Sequence, residues 1–166
     1  MPVAIAFQCA SRLPGLPAAA DFRRWLRATL PARAAGTLTL RVVNAAEGRR
    51  LNHRFRRLDY ATNVLTFTYD TLPLVADIVL CAPVIVREAR AQGKASHGHY
   101  AHLTVHGALH ALGFDHACAA DAARMEAREV EILGTLNIDN PYEDTQRPER
   151  RRVRRGPVAA AAVRLP

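Results

Sequence analysis

The sequence predicts a single domain of the α+β class, in which helices pack on a mixed β-sheet. Four short segments have the composition of strands, two of them with alternating apolar and polar residues, and five others carry apolar residues at helical spacing. These segments are interleaved without a regular βαβ repeat, which favours a mixed sheet with packed helices. With 166 residues, of which 49% are hydrophobic, the chain can bury one sizeable core.

The strand predictions rest on short runs rich in β-branched, aromatic and leucine residues. The four predicted strands are residues 3–9, 37–43, 63–69 and 76–80. The cluster Pro14-Gly15-Leu16-Pro17 follows the first strand, and Gly36 precedes the second. Glycine and proline at these positions interrupt regular structure, so they mark the ends of the segments.

The helix predictions combine apolar spacing with residues typical of helix ends. The five predicted helices are residues 21–30, 45–56, 84–92, 99–112 and 121–133. Asn44 and Asp121 are suitable N-cap residues for the second and last helices, and Pro83 suits the first position of the third. Phe22 and Trp25 lie on one side of the first helix and are expected in the core.

Six of the seven histidines lie between positions 97 and 116, and three of them have the spacing of a metal site. Residues four apart on an α-helix advance about 6 Å along its axis and share a face, so His106 and His110 can bind one ion. A continuing helix would carry His116 about 9 Å further, so the chain has to turn back at Gly113. Three imidazoles with an open fourth position are typical of a catalytic zinc.

Three neighbouring residues allow more than one interpretation or lie outside the ligand set. His102 precedes His106 by one turn but lies about 12 Å along the axis from His110, so we expect it to support a ligand or to pack. Asp115 is expected either to orient a ligand imidazole or to cap the turn. Cys118 is expected to be an inert thiol, and three cysteines without paired spacing predict no disulfide framework.

The residue after the first histidine separates two kinds of chemistry. The spacing H-x-x-x-H-x-x-G-x-x-H also occurs in zinc peptidases that begin H-E-x-x-H, in which the glutamate is the general base. This chain has Gly107 at that position, and glycine cannot transfer a proton. The metal ligands of those peptidases are therefore present, whereas their base is missing.

With Gly107 included, the motif resembles the signature of the YbeY family of bacterial rRNA-maturation endoribonucleases. Residues 51–67 are similar to the family's segment L-N-x-x-[YF]-R-x-x-D-x-P-T-[DN]-V-L-S-F, with Ala61 and Thr66 in place of the commonest proline and serine. Asp77-Ile78-Val79 and Asn140-Pro141-Tyr142 also match. The resemblance covers roughly residues 36–142.

The resemblance implies a single-strand-specific, zinc-dependent endoribonuclease. Its implied role is rRNA processing, namely 3′-end maturation of the small-subunit 16S rRNA, together with ribosome quality control and assembly. One zinc ion per chain would be held by His106, His110 and His116. Arg56, at the position of the family's arginine, and His106 would be the catalytic residues. The implied partners are RNA, the small ribosomal subunit, ribosomal proteins and assembly GTPases, and no membrane.

The residues themselves support part of this assignment. Three neutral imidazoles leave a zinc ion its double charge, which lowers the pKa of its bound water toward about 7. Arginine suits the negative charge that develops on phosphoryl oxygens. Arg54, Arg56 and Arg57 form a basic cluster at a helix end, although such clusters are more typical of a solvated face. Only the resemblance singles out Arg56.

The distribution of charge divides the chain. Its net charge is +8, which favours a polyanionic partner. Residues 147–166 carry seven arginines and one glutamate, a net charge of +6, so the remaining residues carry +2. We expect a domain over residues 1–146 and a disordered basic tail over 147–166, which either has no specific target or adds phosphate contacts. No signal peptide or membrane-spanning run is visible, so a cytoplasmic protein is expected.

Two other functions remain open from the sequence. A metallopeptidase could use the same zinc ion with a different base. A non-catalytic, rRNA-binding assembly factor could hold a structural zinc, in which case removal of the metal should unfold the protein.

Overall fold

The computed structural model describes residues 1–143 and 160–164. Its elements, in chain order, are β1 (Ala4–Cys9), α1 (Ala19–Thr29), β2 (Gly36–Val43), α2 (Ala45–Arg56), β3 (Val64–Thr71), β4 (Leu74–Cys81), α3 (Ala82–Ala91), α4 (Ser96–Ala111), α5 (Ala119–Thr135) and β5 (Ala160–Arg164). All nine predicted segments are present; α2 has the predicted bounds, and the ends of the others are shifted. None of the helices in the described part of the chain has the length and hydropathy needed to cross a membrane.

The strands form one mixed sheet in the order β1-β2-β4-β3-β5. β1, β2 and β4 run parallel, and β3 is antiparallel to β4. β3 and β4 are longer than predicted because they form a hairpin that closes at the pair Thr71–Leu74. The α+β prediction, with a mixed sheet and packed helices, is confirmed.

The strand β5 differs from the expectation for the C-terminal tail. Its five residues pair in parallel with β3, from Val64–Ala160 to Thr68–Arg164. The backbone groups on the outer side of β3 need hydrogen-bond partners, and an alanine- and valine-containing strand supplies them. Residues 160–164 are therefore part of the sheet, and not coil. The rest of the predicted tail lies outside the described residues.

The two faces of the sheet bury different helices. The strand residues of the larger core are Leu38, Leu40, Val42, Val64, Leu74, Ala76, Ile78 and Leu80. Helices α1, α4 and α5 pack on them, and Phe22 and Trp25 of α1 are fully buried, which confirms their predicted place in the core. On the other face, Leu51 and Phe55 of α2 pack on a second cluster that includes Leu65 and Phe67.

Local signals account for the start of α2 but only approximately for that of α5. Asn44 is the N-cap of α2, as predicted, and its side chain accepts a hydrogen bond from the Glu47 amide at 2.9 Å. The prediction for α5 was wrong by one turn, because Cys118 is its N-cap and Asp121 lies in its first turn. A carboxylate there is still favourable because it faces the positive end of the helix dipole.

Candidate metal centre

Helix α4 places the first two predicted ligands inside the protein. It lies between the sheet and helices α1 and α5, and every residue from His99 to Ala111 is buried. His106 and His110 are only 5% and 4% exposed. Their Nε2 atoms are 3.1 Å apart, as the one-turn spacing predicts.

The third histidine reaches the other two through a glycine turn. Gly113 has a φ of +95°, a left-handed conformation that costs glycine little. The Phe114 amide donates to the Leu109 carbonyl at 3.0 Å, which closes the helix end. His116 then lies with its ring centroid 5.0 Å from that of His110. One nitrogen from each of the three histidines lies within 4.8 Å of the others.

The hydrogen bonds around these rings leave the inward nitrogens free to bind a cation. Nδ1 of His106 contacts the Glu129 carboxylate, and Nδ1 of His110 lies 3.0 Å from the Phe114 carbonyl. A carboxylate and a carbonyl can only accept, so each Nδ1 carries the proton and each Nε2 presents a lone pair. Two lone pairs at 3.1 Å repel each other unless a cation lies between them. A tetrahedral zinc would separate two such nitrogens by about 3.3 Å. The residues therefore fit the ion.

The surroundings also keep the imidazoles in the form that binds metal. Burial lowers the pKa of His110 to about 4. Burial likewise lowers the pKa of His106, although its hydrogen bond to Glu129 opposes that shift. Both rings are therefore neutral near pH 7, as a metal ligand must be. His116 is exposed, so the group opens to solvent on its side.

Two neighbours that the sequence left open now have defined contacts. Nε2 of His102 is 3.2 Å from Oε2 of Glu129, so His102 supports the residue that holds His106. Asp115 accepts a hydrogen bond from the His116 amide at 2.7 Å and thus caps the turn. Cys118, the N-cap of α5, belongs to neither ligand group found in the described residues.

Gly107 lies against the sheet. A Cβ atom at this position would be 2.9 Å from Ile78 Cγ2, 3.2 Å from Thr66 Oγ1 and 3.4 Å from Val64 Cγ2. The hydroxyl of Thr66 also donates to the Gly107 carbonyl at 3.3 Å. The glycine therefore permits a close approach of α4 to β3 and β4. A glutamate here would meet the sheet at its first side-chain carbon.

Arg56 is positioned by α2, on the other side of the sheet from α4. It is the last residue of α2, and its Nη1 lies 3.4 Å from the Asn52 side chain. Asn52 is fully buried and donates to the Tyr60 carbonyl at 2.7 Å. The loop held in this way leads into β3, whose Thr66 contacts Gly107 of the metal helix. The two segments that carry the resemblance are thus joined through β3.

Comparison with known proteins agrees with this arrangement. The family model described as Endoribonuclease YbeY matches residues 17–137, which include α2, β3, α4 and α5. The chain belongs to the YbeY family. An Endoribonuclease YbeY of Stenotrophomonas maltophilia (strain K279a) is 52% identical over 138 residues, covering 77% of this chain and 86% of that protein. An Endoribonuclease YbeY of Bordetella petrii is 62% identical over 108 residues, covering 63% of this chain and 70% of that protein.

A solved structure supports the fold. The solution structure of a protein from Thermotoga maritima superposes with a TM-score of 0.54 at 21% identity, covering 88% of this chain and 99% of that one. At this level of identity the likeness concerns the fold alone. The family model and the relatives confirm the resemblance drawn from the sequence motifs, and the α+β architecture is shared with a solved structure.

The sequence motifs did not point to Glu129 or to a role for Tyr142. Glu129 is fully buried in α5, and Tyr142 donates a hydrogen bond to it. The buried residues of α5 are Met125, Glu129, Ile132 and Leu133. A glutamate within this apolar stripe could have been noticed, because a carboxylate is rarely buried without a partner.

Proposed function

We propose that this chain is a zinc-dependent, single-strand-specific endoribonuclease that acts in rRNA processing and in assembly of the small ribosomal subunit. The observation that carries this proposal is the convergence of three histidine nitrogens, two of them with their other ring nitrogen already hydrogen-bonded, in a chain of the YbeY family. One ion per chain fits this set of ligands. We place the protein in the cytoplasm, because the rRNA of the small ribosomal subunit is processed there.

The proposed roles divide the site between metal binding and phosphate binding. The zinc would be held by His106, His110 and His116. It would act as a Lewis acid and would lower the pKa of a bound water toward about 7. Arg56 would contact the scissile phosphate, because a guanidinium matches phosphate oxygens with two parallel hydrogen bonds. Arg54 and Arg57 beside it are exposed, as expected of a solvated face, and no specific contact with the substrate is assigned to them.

The packing of Gly107 argues against a peptidase that works by the H-E-x-x-H mechanism. That mechanism needs a carboxylate beside the metal to move a proton. In this chain the corresponding position faces Ile78 and Thr66 of the sheet, where even a Cβ atom would be closer than normal van der Waals contact. Phosphodiester cleavage needs no glutamate at this position, so the geometry agrees better with a nuclease.

The test is cleavage of end-labelled, single-stranded rRNA by the wild type and by His116→Ala, each checked for metal content and for folding by circular dichroism. His116 is exposed, so its removal should leave the fold intact while weakening the metal site. We expect the folded variant to lose zinc and cleavage together. Full cleavage by a zinc-free variant would contradict the proposal. The same preparations are given a peptide library, and peptide products in place of RNA products would favour a metallopeptidase.

A further inference from the structure

Glu129 is a buried carboxylate whose partners include a proposed metal ligand. It lies on α5, is fully buried, and is the one buried carboxylate in residues 1–143. Transfer of a carboxylate from water into a protein interior is unfavourable unless hydrogen bonds and charges compensate for the lost solvent. Its retention in an otherwise apolar helix face therefore requires a local cause.

Three side chains provide this compensation. Oε1 of Glu129 contacts Nδ1 of His106. Oε2 accepts a hydrogen bond from the Tyr142 hydroxyl and lies 3.2 Å from Nε2 of His102. Both oxygens of the carboxylate are thus occupied by side-chain partners.

The segment after α5 holds Tyr142 in place. The Tyr142 amide donates to the Asn140 side chain at 2.9 Å, and Lys94 donates to the Pro141 carbonyl. The ring of Tyr142 lies 5.5 Å from that of His102 in an edge-to-face arrangement. The Asn140-Pro141-Tyr142 segment therefore brings the Tyr142 hydroxyl to Oε2 of the carboxylate, whereas His106 contacts Oε1.

We propose that Glu129 is the positioning residue of the metal centre, with Tyr142 and His102 holding the carboxylate that fixes His106. This inference rests on the proposed function, since it takes His106 as a ligand. A carboxylate on Nδ1 fixes the tautomer and the ring orientation, and it makes the opposite nitrogen a stronger donor to the metal. His110, which has only a backbone carbonyl on Nδ1, lacks this negative charge.

The same residues could also be considered as a second metal site. Ligand atoms of His102, His106 and Glu129 lie within 4.8 Å of one another. However, Oε1 of Glu129 and Nδ1 of His106 are in direct hydrogen-bond contact, which leaves no space for an ion between them. The contact therefore favours a hydrogen-bonded support for one ion over a second ion.

The inference is tested by zinc affinity and stoichiometry, measured in competition with a chromogenic chelator on the full chain. Glu129→Gln keeps the shape and removes the charge, and we expect zinc binding to weaken by about 10- to 100-fold. Tyr142→Phe should weaken it by less. The matched control is Glu131→Gln, on the same helix but exposed and paired with Arg128, and it should bind zinc as the wild type does. The free energy of unfolding of each zinc-free variant is measured by urea titration, so that a loss of fold is not mistaken for a loss of affinity.

Each outcome of this experiment decides a different point. Wild-type affinity in a folded Glu129→Gln variant overturns the inference, even if the zinc-free variant is less stable. Two zinc ions per wild-type chain also overturn it. If Glu129→Gln does not fold, Tyr142→Phe decides, and wild-type affinity in that variant counts against the inference. Failure of the wild type to bind zinc, or unchanged binding by His116→Ala, instead contradicts the proposed function.

Discussion

Replacement of Gly107 by alanine tests how closely the metal helix approaches the sheet. In an exposed helix interior, glycine-to-alanine substitution stabilises by about 1 kcal/mol. Here the new Cβ atom would lie 2.9 Å from Ile78 Cγ2 and 3.2 Å from Thr66 Oγ1. Ile78 is fully buried and β-branched, so its methyl group cannot rotate away without a clash elsewhere. Overpacking of this kind costs about 1–3 kcal/mol, so the net effect is a loss of about 1 kcal/mol.

Gly98 provides the matched control, because it lies on the same helix in open surroundings. Its added Cβ atom would meet only Ile138 Cγ2, at an ordinary 3.8 Å. Gly98→Ala should therefore stabilise the protein while Gly107→Ala destabilises it, as measured by urea unfolding of the zinc-free chain. The argument is refuted if Gly107→Ala is as stabilising as Gly98→Ala. That result would mean that α4 does not pack on β3 and β4 as described.

Two further predictions concern Arg56 and Tyr100. Arg56→Ala should reduce RNA cleavage by about 100-fold or more with unchanged zinc content, because in the proposed role its guanidinium stabilises charge on the phosphate. The neighbouring exposed variant Arg54→Ala should have a small effect, and equal losses in the two would contradict a specific role. Tyr100 is fully buried, and its hydroxyl has no hydrogen-bond partner in the described part of the chain, so Tyr100→Phe should raise the free energy of unfolding by about 1 kcal/mol at pH 7. Burial raises the pKa of Tyr100 from 10.0 to about 12. Between pH 10 and pH 12 the hydroxyl therefore keeps its proton in the folded state and loses it in the unfolded state. Wild-type stability should therefore fall by about 3 kcal/mol as the pH rises through this window, and the Phe variant should lack that part of the loss.

The sequence alone was sufficient to predict the features that depend on residues close together in the chain. Asn44 caps α2 because its side chain reaches an amide three residues later, and Gly113 turns the chain because it adopts a positive φ at little cost. The convergence of His106 and His110 depends only on helix geometry. These features involve residues within a few positions of each other, so spacing alone predicts them.

The parts that the sequence did not predict depend on contacts between distant elements. Glu129 becomes a partner of His106 only because α5 packs beside α4; its place in an apolar stripe suggests a buried carboxylate, but a separation of 23 residues does not identify His106 as the partner. The pairing of β5 with β3 joins residues almost a hundred positions apart. The direction that Gly107 faces could be inferred from the helix, but its distance from Ile78 could not, because that distance depends on how closely α4 and the sheet approach each other.

The central claim is that one zinc ion held by His106, His110 and His116 performs the chemistry. The most direct measurement removes the metal with a chelator, confirms by circular dichroism that the zinc-free chain stays folded, and then titrates zinc back while cleavage of single-stranded rRNA is followed. The account predicts that cleavage is lost without metal and rises in proportion to added zinc until one equivalent is bound. Cleavage that persists in the zinc-free protein, or a chain that unfolds when the metal is removed, would contradict it.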